Sequence, residues 1–255
     1  MLDITDAAHP TDTLDPAEIG GNGRWKTSIS SGPTCLAGPR LYQYLAQRDL
    51  AAPTVTVPKG RTLHMEGDPA RICHVVQSGL VKTYNTLIDG RRHVLGFRSV
   101  GDMLNLTALD APGQPRCRHT AEASTDAVLL AYPIAAIRRL LAANEAARDA
   151  LRADLTRRLI ETERKALNLG CLNAVARVAR FLADLDAARI GSSTYGDAVP
   201  IPVCRQDIAD YLGLTLETVC RSIGVLKARG IIALEGSHAF RIVGANQLKA
   251  MVGAA

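Results

Sequence analysis

The chain has 255 residues, 47% hydrophobic and 22% charged, the balance of a soluble globular protein with one large domain or two ordinary ones. No run approaches the roughly eighteen apolar residues of a membrane span, and the acidic, polar start MLDITDAAHPTDTLD lacks the regions of a signal peptide, so a cytoplasmic protein is expected. Residues 1–132 carry 13 Lys+Arg and 13 Asp+Glu while residues 133–255 carry 17 and 12, so the net +5 lies in the second half, where a phosphate-binding module would show it.

Residues 1–38 are rich in Gly, Pro, Ser, Thr and Asp without apolar period and read as a flexible arm. A short helix follows, with Leu41, Tyr44 and Leu45 on one side. From about residue 53 to 132 the text becomes short β-branched runs, TVTVPKG, HVVQSGLVKTYN and HVLGFRSVGDML, broken by KG, EGDPA, QSG, DGRR and VGD. Turn signals so closely spaced predict a compact all-β roll or barrel over 39–142, and Asp89-Gly90 predicts a hairpin inside it.

Pro133 opens a helical region, as proline favours a first helical turn. PIAAIRRLLAA is one short helix, and a long one covers 143–170. On the long helix Leu151, Leu155, Leu159, Thr162, Ala166 and Leu169 form a seam narrow enough to suit a partner helix; the alternative is packing on the chain's own β unit. NAVARVARFLADLDAAR is amphipathic, with Val175, Val178, Phe181, Leu182 and Leu185 inward. After a loop and short strand at YGDAVPIPV, CRQDIADYLGLTLETVCRSIGVLKARG shows two helical periods broken at Gly213. That is a helix-turn-helix, and IIALEGSHAFRIV alternates around Gly-Ser as a hairpin wing, so 171–255 reads as a winged helix-turn-helix. In its second helix Glu217, Cys220 and Arg221 share one face by i, i+3, i+4 spacing, opposite Val219, Ile223 and Leu226.

With these motifs the chain resembles the Crp–Fnr family of bacterial transcription regulators across about residues 40–250. KGRTLHMEGDPA, VQSGLVKTY, DGRRHVLGF and RSVGDML resemble the family's β-roll, and RQDIADYLGLTLETVCR its DNA-binding signature, nearest the FixK-type branch. The resemblance implies an α+β chain: an N-terminal β-roll of the cyclic-nucleotide-binding type, a long dimerisation helix and a C-terminal winged helix-turn-helix. It implies a homodimer on palindromic double-stranded DNA, with RNA polymerase as a further partner and low-oxygen-related genes as targets. Glu217 and Arg221 then stand as base readers, which suits their chemistry: Arg221 can pair with guanine O6 and N7, and Glu217 can accept from a cytosine amino group. Leu216 stands where the cyclic-AMP-receptor branch has a further Arg, and L-T-x-E-T-V-x-R resembles the pattern that reads TTGAT paired with ATCAA. Cys220 lies between the readers where that branch usually has Ser. Arg205, Gln206 and Thr215 are expected at phosphates, since phosphate contacts position and base contacts specify.

The family's nucleotide pocket uses a Glu after Gly and an Arg-Ser pair; here Asp102 follows Gly101, and PGQPRCRHTAEA contains no Arg-Ser. The Fnr branch holds its iron–sulfur cluster with grouped N-terminal cysteines, and only Cys35 lies in that region. Cysteines 35, 73, 117, 171, 204 and 220 include no C-x-x-C, so neither a metal nor a cofactor is expected. The alternative is an effector-dependent regulator sensing a small molecule or haem through His64, His74, His93 or His119. A β-roll metal enzyme would want H-x-H, and these histidines are ten to twenty-six residues apart.

Two further expectations concern regulation. Cys220, exposed beside Arg221, is a candidate redox switch, and Cys204, at a helix start that favours thiolate, is its rival. The ending QLKAMVGAA resembles C-terminal signals that cytoplasmic proteases read.

Overall fold

The computed structural model describes residues 40–48, 50, 52–188, 198–236 and 238–253. The N-terminal arm and the last two alanines of the tail therefore lie outside the described residues.

Helix α1 (Leu41–Ala46) precedes seven strands: β1 (Thr54–Val57), β2 (Thr62–His64), β3 (Ile72–Ser78), β4 (Val81–Thr86), β5 (Arg92–Arg98), β6 (Thr120–Ala123) and β7 (Ala127–Pro133). They pair antiparallel into two sheets, ordered β1-β7-β3 and β2-β6-β4-β5. Val57, Val76, Val81, Leu104, Ala121 and Leu129 are buried between the sheets, inward residues of a roll. Gly90 turns the β4–β5 hairpin at φ +80°, a left-handed conformation that glycine adopts without strain. Pro133 does not begin a helix: it is the last residue of β7 and the N-cap of α2 (Ile134–Ala143). Its missing N–H costs nothing there, because it pairs at the strand's end.

Helix α3 runs from Glu145 to Cys171, 27 residues and so about 40 Å. Asn144 caps it by accepting from the Ala147 N–H at 3.1 Å. Its N-terminal turns lie on the roll, where Ala147, Ala150 and Leu151 share a core with Ile134, Ile137, Leu41 and Leu45. Leu151 therefore serves its own domain and not a helix–helix seam, and Leu155 packs beside it, half buried. The rest of the seam behaves differently. Leu159 is 59% exposed, and Thr162 and Ala166 are exposed on the same side, with Ile160 and Leu167 adding apolar surface. The change follows from which side faces the roll: the second half of α3 turns Glu161 and Lys165 to β5, and the stripe with Leu159, Thr162 and Ala166 is left as open surface.

Helix α4 (Ala174–Ala188) begins the C-terminal unit, followed by β8 (Val199–Pro200), α5 (Arg205–Leu212), α6 (Leu216–Ala228), β9 (Ile232–Glu235), β10 (Ala239–Ile242) and α7 (Ala245–Val252). The three strands form a small sheet, β8-β10-β9. Val178, Phe181, Leu182, Ile208, Leu212, Val219, Ile223, Leu226 and Phe240 make its core, with Leu80 of the roll joined to it. Among the described residues no helix is long and apolar enough to cross a membrane.

Within the roll three histidines are held neutral. Burial pushes His64, His74 and His119 down to about 4, and His64 repels the other two, with Arg98 and Arg158 acting further on His119. An unfolded chain takes up these protons near pH 6.5, so their contribution to stability is present above that pH and is lost as pH falls towards 4. Thermal melts from pH 7 to pH 4 should show a loss on the order of a few kcal/mol in total. Replacing His74 and His119 by Gln should flatten that slope.

Candidate nucleic-acid interface

The helix-turn-helix is built by caps and one glycine. Cys204 is the N-cap of α5, its sulfur accepting from the Asp207 N–H at 3.4 Å where Ser or Thr would normally stand. Gly213 closes α5 at φ +63°, the left-handed C-cap that lets the chain turn. Thr215 caps α6, its hydroxyl accepting from the Thr218 N–H at 3.2 Å. Val219, Ile223 and Leu226 are buried against α4 and α5, which sends the opposite face of α6 outward.

On that outward face Arg221 Nη2 donates to Glu217 Oε1 at 2.5 Å, with both side chains more than two-thirds exposed. An exposed i,i+4 pair adds only about 0.3–0.5 kcal/mol. Its use lies in geometry: it holds the guanidinium fork over the first turns of the helix. Cys220 is exposed between them, and Leu216, at the first position of α6, is 43% exposed. Arg205 is half buried at the start of α5; burial lowers its pKa, and the neighbouring Cys220 works in the opposite direction. Gln206 is exposed, and its amide donates to Asp210 within its own helix at 2.7 Å. The structure thus gathers Glu217, Cys220, Arg221 and Arg205 at one surface, with Thr215 at its edge and Gln206 turned along α5. Cys171 is also exposed, whereas Cys73 and Cys117 are buried, and burial pushes the Cys73 thiol up to about 12.

Several residues that hold this surface in place escaped sequence reasoning. Arg177 of α4 donates to the carbonyls of Leu169 and Leu172 on one side (2.6 and 2.9 Å) and Leu212 on the other (3.1 Å), tying the end of α3 to the end of α5. Lys82 on β4 reaches Asp207 of α5 across the domains at 2.9 Å. A basic residue in an amphipathic helix or on a strand gives no sequence signal of such a partner, because the partners are distant along the chain.

In the roll, the charged side chains near Gly101 make their contacts within the protein. Asp102 is already spent on the protein: its carboxylate accepts from the Ser99 N–H at 2.9 Å and from Arg40 Nη1 at 3.4 Å. Arg116 is turned to the Gly67 carbonyl at the surface, and Cys117 beside it is buried in the core. Arg158 donates to the Met103 carbonyl at 2.7 Å, and Arg98 lies 3.9 Å from Glu161. Arg40, Arg98, Arg116 and Arg158 are thus each engaged within the protein. Among the described residues no group of three or more His, Cys, Asp or Glu side chains is arranged to hold a metal ion.

A β-roll joined by a long helix to a winged helix-turn-helix with an exposed Glu/Arg face defines a DNA-binding transcription regulator. Residues 54–144 match the family described as the cyclic nucleotide-binding domain, and residues 176–251 the Crp-like helix-turn-helix domain. The chain is 34% identical over 222 residues to the nitrogen fixation regulation protein FixK of Rhizobium meliloti, covering 86% of this chain and 91% of that one. It is 30% identical to the FixK of Bradyrhizobium diazoefficiens, over 82% and 84% of the two chains. The solved structure of FixK2 from Bradyrhizobium japonicum superposes with a TM-score of 0.73 at 30% identity, covering 81% of this chain and all of that one. The chain belongs to the Crp–Fnr family of transcription regulators and is FixK-like. Its homologues are regulators, not enzymes.

Proposed function

We propose that the protein binds TTGAT/ATCAA palindromes as a homodimer and, with RNA polymerase, activates low-oxygen-related genes. The observation that carries this reading is the Glu217–Arg221 pair, held outward on a helix whose other face is core. Arg221 takes guanine O6 and N7, and Glu217 accepts from the neighbouring cytosine amino group. Arg205, Gln206 and Thr215 lie at the helix starts and meet the backbone phosphates. The exposed Leu159, Thr162 and Ala166, with Ile160 and Leu167, are covered by the same helix of a second copy, and Leu169 continues that line. Asp102, which stands after Gly101 where the family's nucleotide pocket has Glu, is paired with Arg40, which supports binding without a small-molecule effector. The tail is read as a protease signal beyond α7, which Leu248 and Val252 anchor to the core.

Reduced protein prepared without nucleotide should shift a TTGAT palindrome with half-site centres about 34 Å apart. Arg221→Ala should cost roughly 1–3 kcal/mol and relax specificity at one guanine. Weakening that is equal on all sequences would make Arg221 a phosphate contact.

The same surface supports redox control. Oxidation of Cys220 to sulfinic acid places a fixed negative charge beside Arg205 and Arg221 and against the phosphates, and the protein leaves DNA. Cys204, exposed at the cap of α5, is the competing site. Peroxide should abolish the gel shift of wild type and spare that of Cys220→Ser. Protection by Cys204→Ser instead would move the switch to the cap, and protection by neither would remove it.

A further inference from the structure

The two domains meet through charge, and the charge is buried. Lys82 Nζ lies 2.9 and 3.2 Å from the two carboxylate oxygens of Asp207, and the residues are only 6% and 4% exposed. Lys82 belongs to β4 of the roll, and Asp207 to the first turn of α5. Glu122 is the cross-strand partner of Lys82 on β6 and also reaches its ammonium, at 3.0 Å. Arg92 of β5 balances the second carboxylate, 3.9 Å from Asp207 and 3.7 Å from Asp210. Burial alone would lower the Lys82 pKa, but the two carboxylates outweigh it and hold the ammonium charged.

Apolar contacts continue the same patch. Tyr211 of α5 meets Phe97 of β5 and Phe181 of α4, with ring centroids 5.3 and 5.8 Å apart. Lys165 of α3 stands 4.1 Å over the Tyr211 ring while donating to the Val94 carbonyl at 2.7 Å. Helix α5 is thus gripped by the roll and by α3 together. Because α5 and α6 share one core, the grip on α5 also sets the direction of α6, and none of it uses the outward face of α6.

A buried ion pair is a poor source of stability, since desolvation consumes most of the Coulomb gain, but it tolerates few alternative arrangements. This pair is also reversible. If the winged helix moves away, Lys82 keeps Glu122 and Asp207 returns to water, so no buried charge is stranded.

We propose that Lys82 is a positioning residue for DNA reading: by holding Asp207 it fixes the pose of α6 and with it the half-site spacing that the protein accepts. This rests on the reading of the chain as a homodimer on palindromic DNA, where α3 lies at the dimer axis. Moving one half-site by a base pair displaces it by about 3.4 Å and turns it by roughly 35°, which only a loosely held α6 follows.

The test is competition binding on palindromes of optimal spacing and of spacing one base pair shorter and longer, with wild type, Lys82→Met, Asp207→Asn and Glu122→Gln. Lys82→Met and Asp207→Asn should each flatten the ratio of optimal to displaced affinity at least about fivefold, with the salt slope unchanged because the phosphate contacts are intact. Glu122→Gln should keep the wild-type ratio, as Lys82 then has Asp207 alone. General damage to the winged helix would lower all three affinities together and leave the ratio in place, which overturns the proposal. So would loss of the ratio in Glu122→Gln. Amide hydrogen exchange without DNA gives an independent reading: Lys82→Met should raise exchange in Arg92–Arg98 and in Arg205–Leu212, and unchanged exchange in both also overturns it. If wild type binds no palindrome, the DNA-reading proposal fails, and exchange still decides whether Lys82 holds α5.

Discussion

Helix α5 carries two loads, and the buried contact between Lys82 and Asp207 joins them. On one side α5 and α6 share the apolar core of the winged helix; on the other, α5 rests on β4 and β5 of the roll and under Lys165 of the long helix. Among the described contacts the reading face of α6 does not touch the roll; α5 carries the charged contact between the two domains, and Leu80 and Phe97 of the roll add apolar contacts to the same core. Asp207 is well chosen for that place. Its backbone N–H is taken by the capping Cys204 sulfur and its carboxylate by Lys82, so cap and domain contact converge on one residue. A chemical change at Cys204 would therefore disturb the helix start and the domain contact together, whereas a change at Cys220 acts only on the outward face.

The same economy explains the roll. In the roll, the charged groups around Gly101 are engaged with one another. Asp102 holds the turn at Ser99 and receives Arg40 from the start of α1; Asp154 of α3 accepts the Leu41 N–H at 2.8 Å and pairs with the buried Arg157. Helix α1 is thereby fastened to both the roll and α3 where carboxylates and arginines gather. These ion pairs fasten elements to one another.

Much of this was legible in the sequence. Val219, Ile223 and Leu226 opposite Glu217, Cys220 and Arg221 follow from helical period alone, and Gly213 marks the break between the two helices because a left-handed cap is most easily made by glycine. The wing was legible from alternation in IIALEGSHAFRIV. Strand β7 was not, because AVLLAYP is apolar without alternation and runs directly into α2, so period gives no boundary between strand and helix. The seam on α3 shows a second limit: a heptad stripe states that apolar residues share a face but not what covers it, and Leu151 is covered by the roll while Leu159 is open. Lys82 and Asp207 were illegible for a third reason. They are 125 residues apart, and a lysine on a strand resembles any solvated lysine until its partner is brought to it.

In the proposed complex Arg221 meets a guanine edge in the major groove. Methylation interference tests it at the atom concerned, because a methyl group on guanine N7 removes the acceptor that the guanidinium fork requires. Methylating the guanine of each TTGAT half-site should block wild-type binding, while Arg221→Ala, weaker throughout, should be indifferent to it. Equal interference in both proteins, or none in wild type, would contradict the account.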